Sequence, residues 1–223
     1  MNIIVPLMGT GERFRAAGYA MPKPMISVNG KPMIERAIEP FLDRGEFTFV
    51  VRPEYEGLKL PGYKLVLEQN TQGAACTVLE GLRHLNYNEP LIILNSDQIL
   101  NFSWLNFDTL VNETNPDGVI WVFKADEDRW SYAKVHDGRI VSVAEKQKIS
   151  EWATCGAYYF REAFLFRMAA EYMLSQRATV NNEYYVAPSY NWMSEDSKIL
   201  PFESGMHGLG TPEDLEKYLC TLA

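Results

Sequence analysis

Ile3-Ile4-Val5-Pro6-Leu7-Met8-Gly9-Thr10-Gly11-Glu12-Arg13-Phe14 runs from a branched apolar segment straight into a loop with two glycines. A short apolar run bounded by turn residues reads as a strand, here Ile3 to Val5. Glycines let the backbone approach a ligand closely and turn its N–H groups toward an anion, so Gly9 and Gly11 form a candidate phosphate cradle. Basic residues gather beside them. Residues 1–31 hold Arg13, Arg15, Lys23 and Lys31 against the single acid Glu12, in a chain whose formal net charge is −8. Local positive charge in an acidic chain points to an anionic ligand at this end. Two other phosphate loops do not fit. A dinucleotide fingerprint needs a third glycine where Phe14 stands, and a Walker loop needs Gly-Lys-Ser/Thr where Gly11-Glu12-Arg13 stands.

Outward from this loop, Phe47 to Val51, Lys64 to Leu67 and Leu91 to Leu94 read as further strands, with helices expected at Pro32 to Leu42 and Ala74 to Leu85. The alternation predicts an α/β fold with parallel strands. Phe47 to Val51 and Leu91 to Leu94 are apolar on both faces, as central strands covered on both sides must be. Beyond about residue 100 the pattern turns antiparallel. Val119 to Phe123 and Cys155 to Phe160 read as strands, and Ala133 to Val135 and Arg139 to Val143 flank the hairpin signal Asp137-Gly138. A helix is expected over Glu162 to Ser175, with Phe164, Leu165, Met168, Ala169 and Tyr172 on its apolar face. A last helix is expected over Pro212 to Leu222, capped by Thr211.

The chain has 223 residues, 47% of them hydrophobic, and no linker-like or low-complexity stretch, so a single domain over 1–223 is expected. Its acidity disfavours general nucleic-acid binding. Cys76, Cys155 and Cys220 are scattered and odd in number, which argues against a disulfide framework and for a reducing cytoplasm. No apolar run reaches the roughly 18 residues of a membrane span, and the N-terminus lacks the pattern of a leader, so no membrane association is expected. Three histidines, His84, His136 and His207, are too few and too separated for a multi-histidine metal centre.

The motifs form an ordered series. Gly9-x-Gly11-x-Arg13, Pro22-Lys23-Pro24 and Val28-Asn29-Gly30-Lys31-Pro32 are followed by Glu68-Gln69-Asn70-Thr71-Gln72-Gly73 and Asn95-Ser96-Asp97. Glu145-Lys146, Thr154-Cys155-Gly156-Ala157 and Gly208-Leu209-Gly210-Thr211-Pro212 complete it. In this series the chain resembles, over almost its whole length, the nucleotidyltransferases that make nucleotide sugars. The resemblance implies one Rossmann-like domain: a mixed, mainly parallel central sheet flanked by helices, with an antiparallel extension on the acceptor side. Residues 1–100 would then mainly bind the NTP and residues 101–223 the acceptor. It implies that a sugar 1-phosphate oxygen attacks the α-phosphorus of the NTP and pyrophosphate leaves, with Mg2+ as cofactor, in a pathway such as capsule or surface glycan synthesis. A homo-oligomer stays open.

The same resemblance assigns roles. Arg13 and Lys23 would be catalytic, neutralising the leaving pyrophosphate. Leu7, Gly9, Gly11, Gln69 and Gly73 would bind the nucleotide, and Glu145, Lys146 and Gly156 the acceptor. Asp97 would hold the metal. The residue types suit this work, because phosphoryl transfer needs charge neutralisation and in-line positioning more than covalent help. Asp97 also follows the expected strand Leu91 to Leu94, and ligands in open α/β sheets bind at carboxyl strand ends.

Two departures stand out. Gly208 occupies the place where many relatives carry a second metal carboxylate, for which Glu203 is a candidate substitute, and Glu12 replaces a small Ser or Thr beside the triphosphate. Ala133, where many relatives have glycine, is expected to narrow the acceptor pocket. Asn182-Glu183-Tyr184-Tyr185 reads first as packing, and Met8, Met21, Met25 and Met33 as core filler. Alternatives to a sugar acceptor are a cytidylyltransferase acting on phosphocholine or a phosphorylated amino-acid derivative, a glycosyltransferase of related fold, and a nucleotide-binding regulatory module.

Overall fold

The computed structural model describes residues 1–222. Strand β1 (Asn2–Leu7) leads through the glycine loop into the short helix α1 (Glu12–Ala16). A 3-10 turn at Lys23–Met25 and the small ribbon of β2 (Ser27–Val28) and β3 (Lys31–Pro32) precede α2 (Met33–Ile38). Then follow β4 (Glu46–Val51), β5 (Tyr63–Val66), α3 (Ala74–Leu82), β6 (Leu91–Leu94) and β7 (Gln98–Asn101). The second half holds α4 (Trp104–Thr114), β8 (Gly118–Lys124), β9 (Ser131–His136), β10 (Arg139–Glu145), β11 (Trp152–Phe160) and α5 (Ala163–Ser175). It ends with β12 (Ile199–Glu203), β13 (Gly205–Gly208) and α6 (Pro212–Cys220).

These strands build one mixed central sheet in the order β10-β9-β11-β6-β1-β4-β5, with β8 and β12 branching from β11. Its core is parallel: β1 lies between β4 and β6, with Ile4 opposite Thr48 on one side and Ile93 on the other. β11 runs antiparallel to β6 and β8, and β9 and β10 form the expected hairpin. Asp137 and Gly138 both have positive φ at its tip, 49° and 73°, the twist that a tight hairpin turn requires. The fold is a single α/β domain of Rossmann-like type. No helix among the described residues is long and apolar enough to cross a membrane.

Alternation along a strand sends Ile4 to one face and Ile3 and Val5 to the other, and all three are fully buried. Ile4 packs with Val78, Leu82 and Phe166 under α3 and α5, whereas Ile3 and Val5 pack with Ile34, Ile38 and Phe107 under α2 and α4. Double coverage is why β1, β4 and β6 carry hardly any polar residue.

Several boundaries differ from expectation for local reasons. The helix expected to run to Leu42 stops at Ile38 and continues as a 3-10 turn, because Pro40 cannot donate the next helical hydrogen bond. On α5 the buried stripe is Ala163, Phe166, Ala169, Ala170 and Met173; of the expected face Ala169 is buried and Leu165 half-buried, while Phe164, Met168 and Tyr172 face solvent. Both stripes fit a 3.6-residue period, and the contacts with α3 and β11 select the first. Thr211 caps α6 as expected, its Oγ1 accepting from Asp214 N–H at 3.2 Å. Of the methionines, Met33 is buried but Met21 is exposed and Met8 lines the cavity described next.

Candidate active site

A cavity of about 1050 Å³ opens over the carboxyl ends of β1 and β6, where a doubly wound sheet binds its ligands. Leu7, Gly9 and Gly11 line one end. Gly11 needs its glycine twice over: its φ is 66°, and a Cβ there would stand 3.0 Å from Lys23 Cβ. Gly9 would meet nothing within 4 Å, so it leaves open space. Arg52 ties this loop to the next wall, donating from Nη1 to Met8 O at 3.2 Å and to Asn70 Oδ1 at 3.0 Å. Gly73, at the start of α3, has φ 119° and abuts the Tyr184 backbone so closely that a Cβ would lie 2.5 Å from its carbonyl oxygen. Gly73, Asn70 and Thr71 line the cavity, whereas Gln69 is exposed on the same loop and outside the lining.

At the middle of the cavity Lys23 Nζ donates to Asp97 Oδ2 at 2.6 Å. Lys23 opens a 3-10 turn whose flanking Pro22 and internal Pro24 keep it from extending into an α-helix. Asp97 is fixed from behind, its carbonyl accepting from Leu209 N–H at 2.7 Å. Arg13 also lines the cavity and forms no ion pair among the described residues.

The far end holds Glu145 and Lys146, where β10 stops. Glu145 is hydrogen-bonded by Ser131 Oγ. Burial pushes its carboxyl above the usual range, partly offset by that hydrogen bond and by the Lys146 charge. Lys146, at φ 52°, donates from Nζ to Tyr185 Oη at 2.6 Å. Tyr185 thus faces the cavity while its neighbour Tyr184 is buried, which corrects the packing assignment for one of the pair. Burial, then the Glu183 carboxylate, raises the Tyr185 phenol.

Gly156 is buried behind this end and outside the lining: at φ 70°, a Cβ there would collide with Gln98 Oε1 and Asn95 Nδ2. Its place is a bulge in β11, where the register with β8 shifts between Thr154 and Tyr158. Ala133 is fully buried in the core and does not narrow the pocket. Trp130 and Arg129, which sequence reading passed over, do line it.

Among the described residues no group of three or more His, Cys, Asp or Glu is arranged to hold a metal. Glu203 lies outside the cavity lining, and Gly208 has no carboxylate. The residues nevertheless fit Mg2+, which is commonly held by one or two carboxylates with waters and substrate phosphates. Asp97 offers such a carboxylate, and Gly210 leaves open the space beside it: a Cβ there would lie 3.8 Å from Asp97 Oδ2 and equally far from Asp214 Oδ2.

A family model described as the MobA-like NTP transferase domain matches residues 8–165. A nucleoside-diphosphate-sugar pyrophosphorylase from Vibrio cholerae RC9 superposes with a TM-score of 0.83 at 25% identity, covering 99% of this chain and 100% of that one. A glucose-1-phosphate thymidylyltransferase from Bacillus anthracis, described as putative, gives 0.79 at 17% identity, covering 99% and 94%. The inositol-1-phosphate CTP transferase from T. maritima gives 0.72 at 15% identity, with the same two coverages of 99% and 94%. The last two likenesses concern the fold alone.

Proposed function

Because the chain belongs to the MobA-like NTP transferase domain family, we propose that this nucleotidyltransferase joins an NTP to a sugar 1-phosphate, releasing pyrophosphate and a nucleotide sugar. The observation that carries the reading is the convergence of one cation and one carboxylate, Lys23 and Asp97, from 74 positions apart to 2.6 Å in the middle of a single cavity. Residues 1–100 mainly serve the NTP and residues 101–223 the acceptor. The nucleotide sugar would feed capsule or surface glycan synthesis in the cytoplasm.

In this reading the base and ribose lie along Leu7, Gly9, Gly11 and Gly73, with Gln69 reaching in from its exposed loop. Arg13 and Lys23 neutralise the β- and γ-phosphates as they leave, which is worth most in a partly enclosed site where water cannot screen the charges. Glu145 orients hydroxyl groups of the acceptor, Lys146 holds its phosphate, and Gly156 shapes the floor beneath Asn95 and Gln98. Asp97 would hold Mg2+, which when bound polarises the α-phosphate oxygens and lowers the charge the nucleophile must approach. No general base is needed, because a sugar 1-phosphate is already an anionic nucleophile at neutral pH.

The deciding experiment mixes each common NTP with a panel of sugar 1-phosphates, inositol 1-phosphate and phosphocholine and measures pyrophosphate release. Turnover with a sugar 1-phosphate supports the proposal. Turnover confined to one of the other two acceptors overturns the sugar assignment and keeps the transferase chemistry.

A further inference from the structure

Position 208 lies on the ribbon that β13 makes with β7, directly opposite Gln98, and the next residue donates its N–H to Asp97. A cross-strand neighbour shares its partner's face, and Gln98 lines the cavity. A side chain at 208 would therefore start on the Gln98 face of the ribbon, against Trp130, which lines the cavity. A Cβ on Gly208 would stand 2.8 Å from Trp130 Cη2, so the indole would have to move to admit one. Gly208 does not have positive φ, so it is the indole and not the backbone that demands glycine.

Trp130 is firmly seated. Phe123 meets it edge to face with centroids 5.5 Å apart, and the Arg129 guanidinium sits 4.4 Å from the ring centroid. Arg129 is held in turn by both Asp214 oxygens at 2.8 Å. The Trp130 carbonyl accepts from Lys146 N–H at 3.0 Å, so the aromatic wall and Lys146 are built as one unit.

From this arrangement we infer that Trp130 is an acceptor-specificity residue: its indole takes the volume that a side chain at 208 would fill, and presents an apolar wall to the acceptor. This rests on the transferase reading above. The wall also selects by charge. Trp130 carries Arg129, and Tyr185 carries Lys146 Nζ at 4.8 Å from its centroid, so both rings already hold a protein cation. A quaternary ammonium seeking cation–π contacts would meet like charge on each. A neutral ring can lay its C–H face on the indole and turn its hydroxyls toward Glu145.

The test has two arms on the purified full chain. Pyrophosphate release is followed with ATP, CTP, GTP and UTP against glucose 1-phosphate, mannose 1-phosphate, N-acetylglucosamine 1-phosphate and phosphocholine. Trp130→Ala is expected to raise the acceptor KM about tenfold or more, leave the NTP KM nearly unchanged and admit bulkier acceptors, with Trp130→Phe recovering most of the loss. Equal shifts in both KM values, or a wild type that prefers phosphocholine, overturn the inference while leaving nucleotidyl transfer intact. A wild type that releases no pyrophosphate with any pair overturns the transferase reading and the acceptor role of Trp130 together.

The second arm is a melting cycle that needs no substrate. Gly208→Ala should lower the melting temperature in the wild type and do little in a Trp130→Ala background. Additive effects overturn the seating of Trp130 on Gly208. If Trp130→Ala does not fold, Trp130→Leu replaces it in both arms.

Discussion

Lys23 Nζ and Asp97 Oδ2 share a 2.6 Å charge-assisted hydrogen bond, although one stands on a 3-10 turn and the other on the connection between β6 and β7. Their side chains remain 20% and 26% exposed, so water and ligands can reach both. The pair places the cation proposed for the phosphates beside the carboxylate proposed for the metal. A metal at Asp97 must share that carboxylate with the ammonium or release it toward the departing phosphates.

Lys23→Ala is expected to lower turnover by roughly 100-fold or more, the scale for deleting a donor that acts on transition-state charge. The fold should persist, because the orphaned Asp97 carboxylate stays partly hydrated. Steady-state pyrophosphate release alongside a thermal melt separates the two effects; unchanged kinetics on folded protein would remove Lys23 from the mechanism.

Asp97→Asn keeps size and most hydrogen bonding while removing the negative charge that offsets Lys23 and would offset Mg2+. Metal-dependent turnover should nearly vanish, with NTP binding less affected. A Mg2+ titration of activity, read beside calorimetric NTP binding, checks this. Normal activity at low Mg2+ would mean that the metal is held elsewhere. The tempting repair, Gly208→Asp, meets Trp130 and is expected to cost stability without restoring a ligand.

Lys146→Ala should weaken use of the acceptor about tenfold or more while leaving NTP affinity nearly unchanged, as expected for losing one charged hydrogen bond at the acceptor end. The replacement adds no new backbone conflict, since Lys146 itself already holds φ 52°. A collapse of NTP affinity with acceptor KM unmoved would reverse the map of the two halves.

How far the chain could be read in advance follows from which forces are local. Ile3 to Val5 and Leu91 to Leu94 declared their burial by being apolar on both faces, and Asp97 was legible because it directly follows such a strand. Trp130 and Arg129 were not, because they lie in the aperiodic connection between β8 and β9 and gain meaning only from Gly208 and Asp214, much later in the chain. Tyr184 and Tyr185 look alike in sequence, yet one fills the core and the other meets Lys146. The five-residue α1 is too short to show a helical period, and β12 is recognisable only through its pairing with β8.

Glu145 supplies a test of stability against pH. Burial raises its carboxyl in the folded chain above the value of 4.5 taken for an unperturbed glutamate, more than Ser131 and Lys146 lower it. Between the unfolded and folded pKa the unfolded chain has lost this proton and the folded chain still holds it, so stability falls as pH rises through that window. Above the folded pKa the cost is fully present and constant, and below the unfolded pKa it is absent. Glu145→Gln removes the charge and keeps an acceptor for Ser131. The variant should therefore melt higher than the wild type at neutral pH, and the difference should shrink as pH falls through the window between the folded and unfolded pKa, to be gone below it. Paired melting curves from pH 4 to 8 provide the measurement; a gap that widens toward acid would mean that Ser131 and Lys146 outweigh burial and that the carboxylate is held charged.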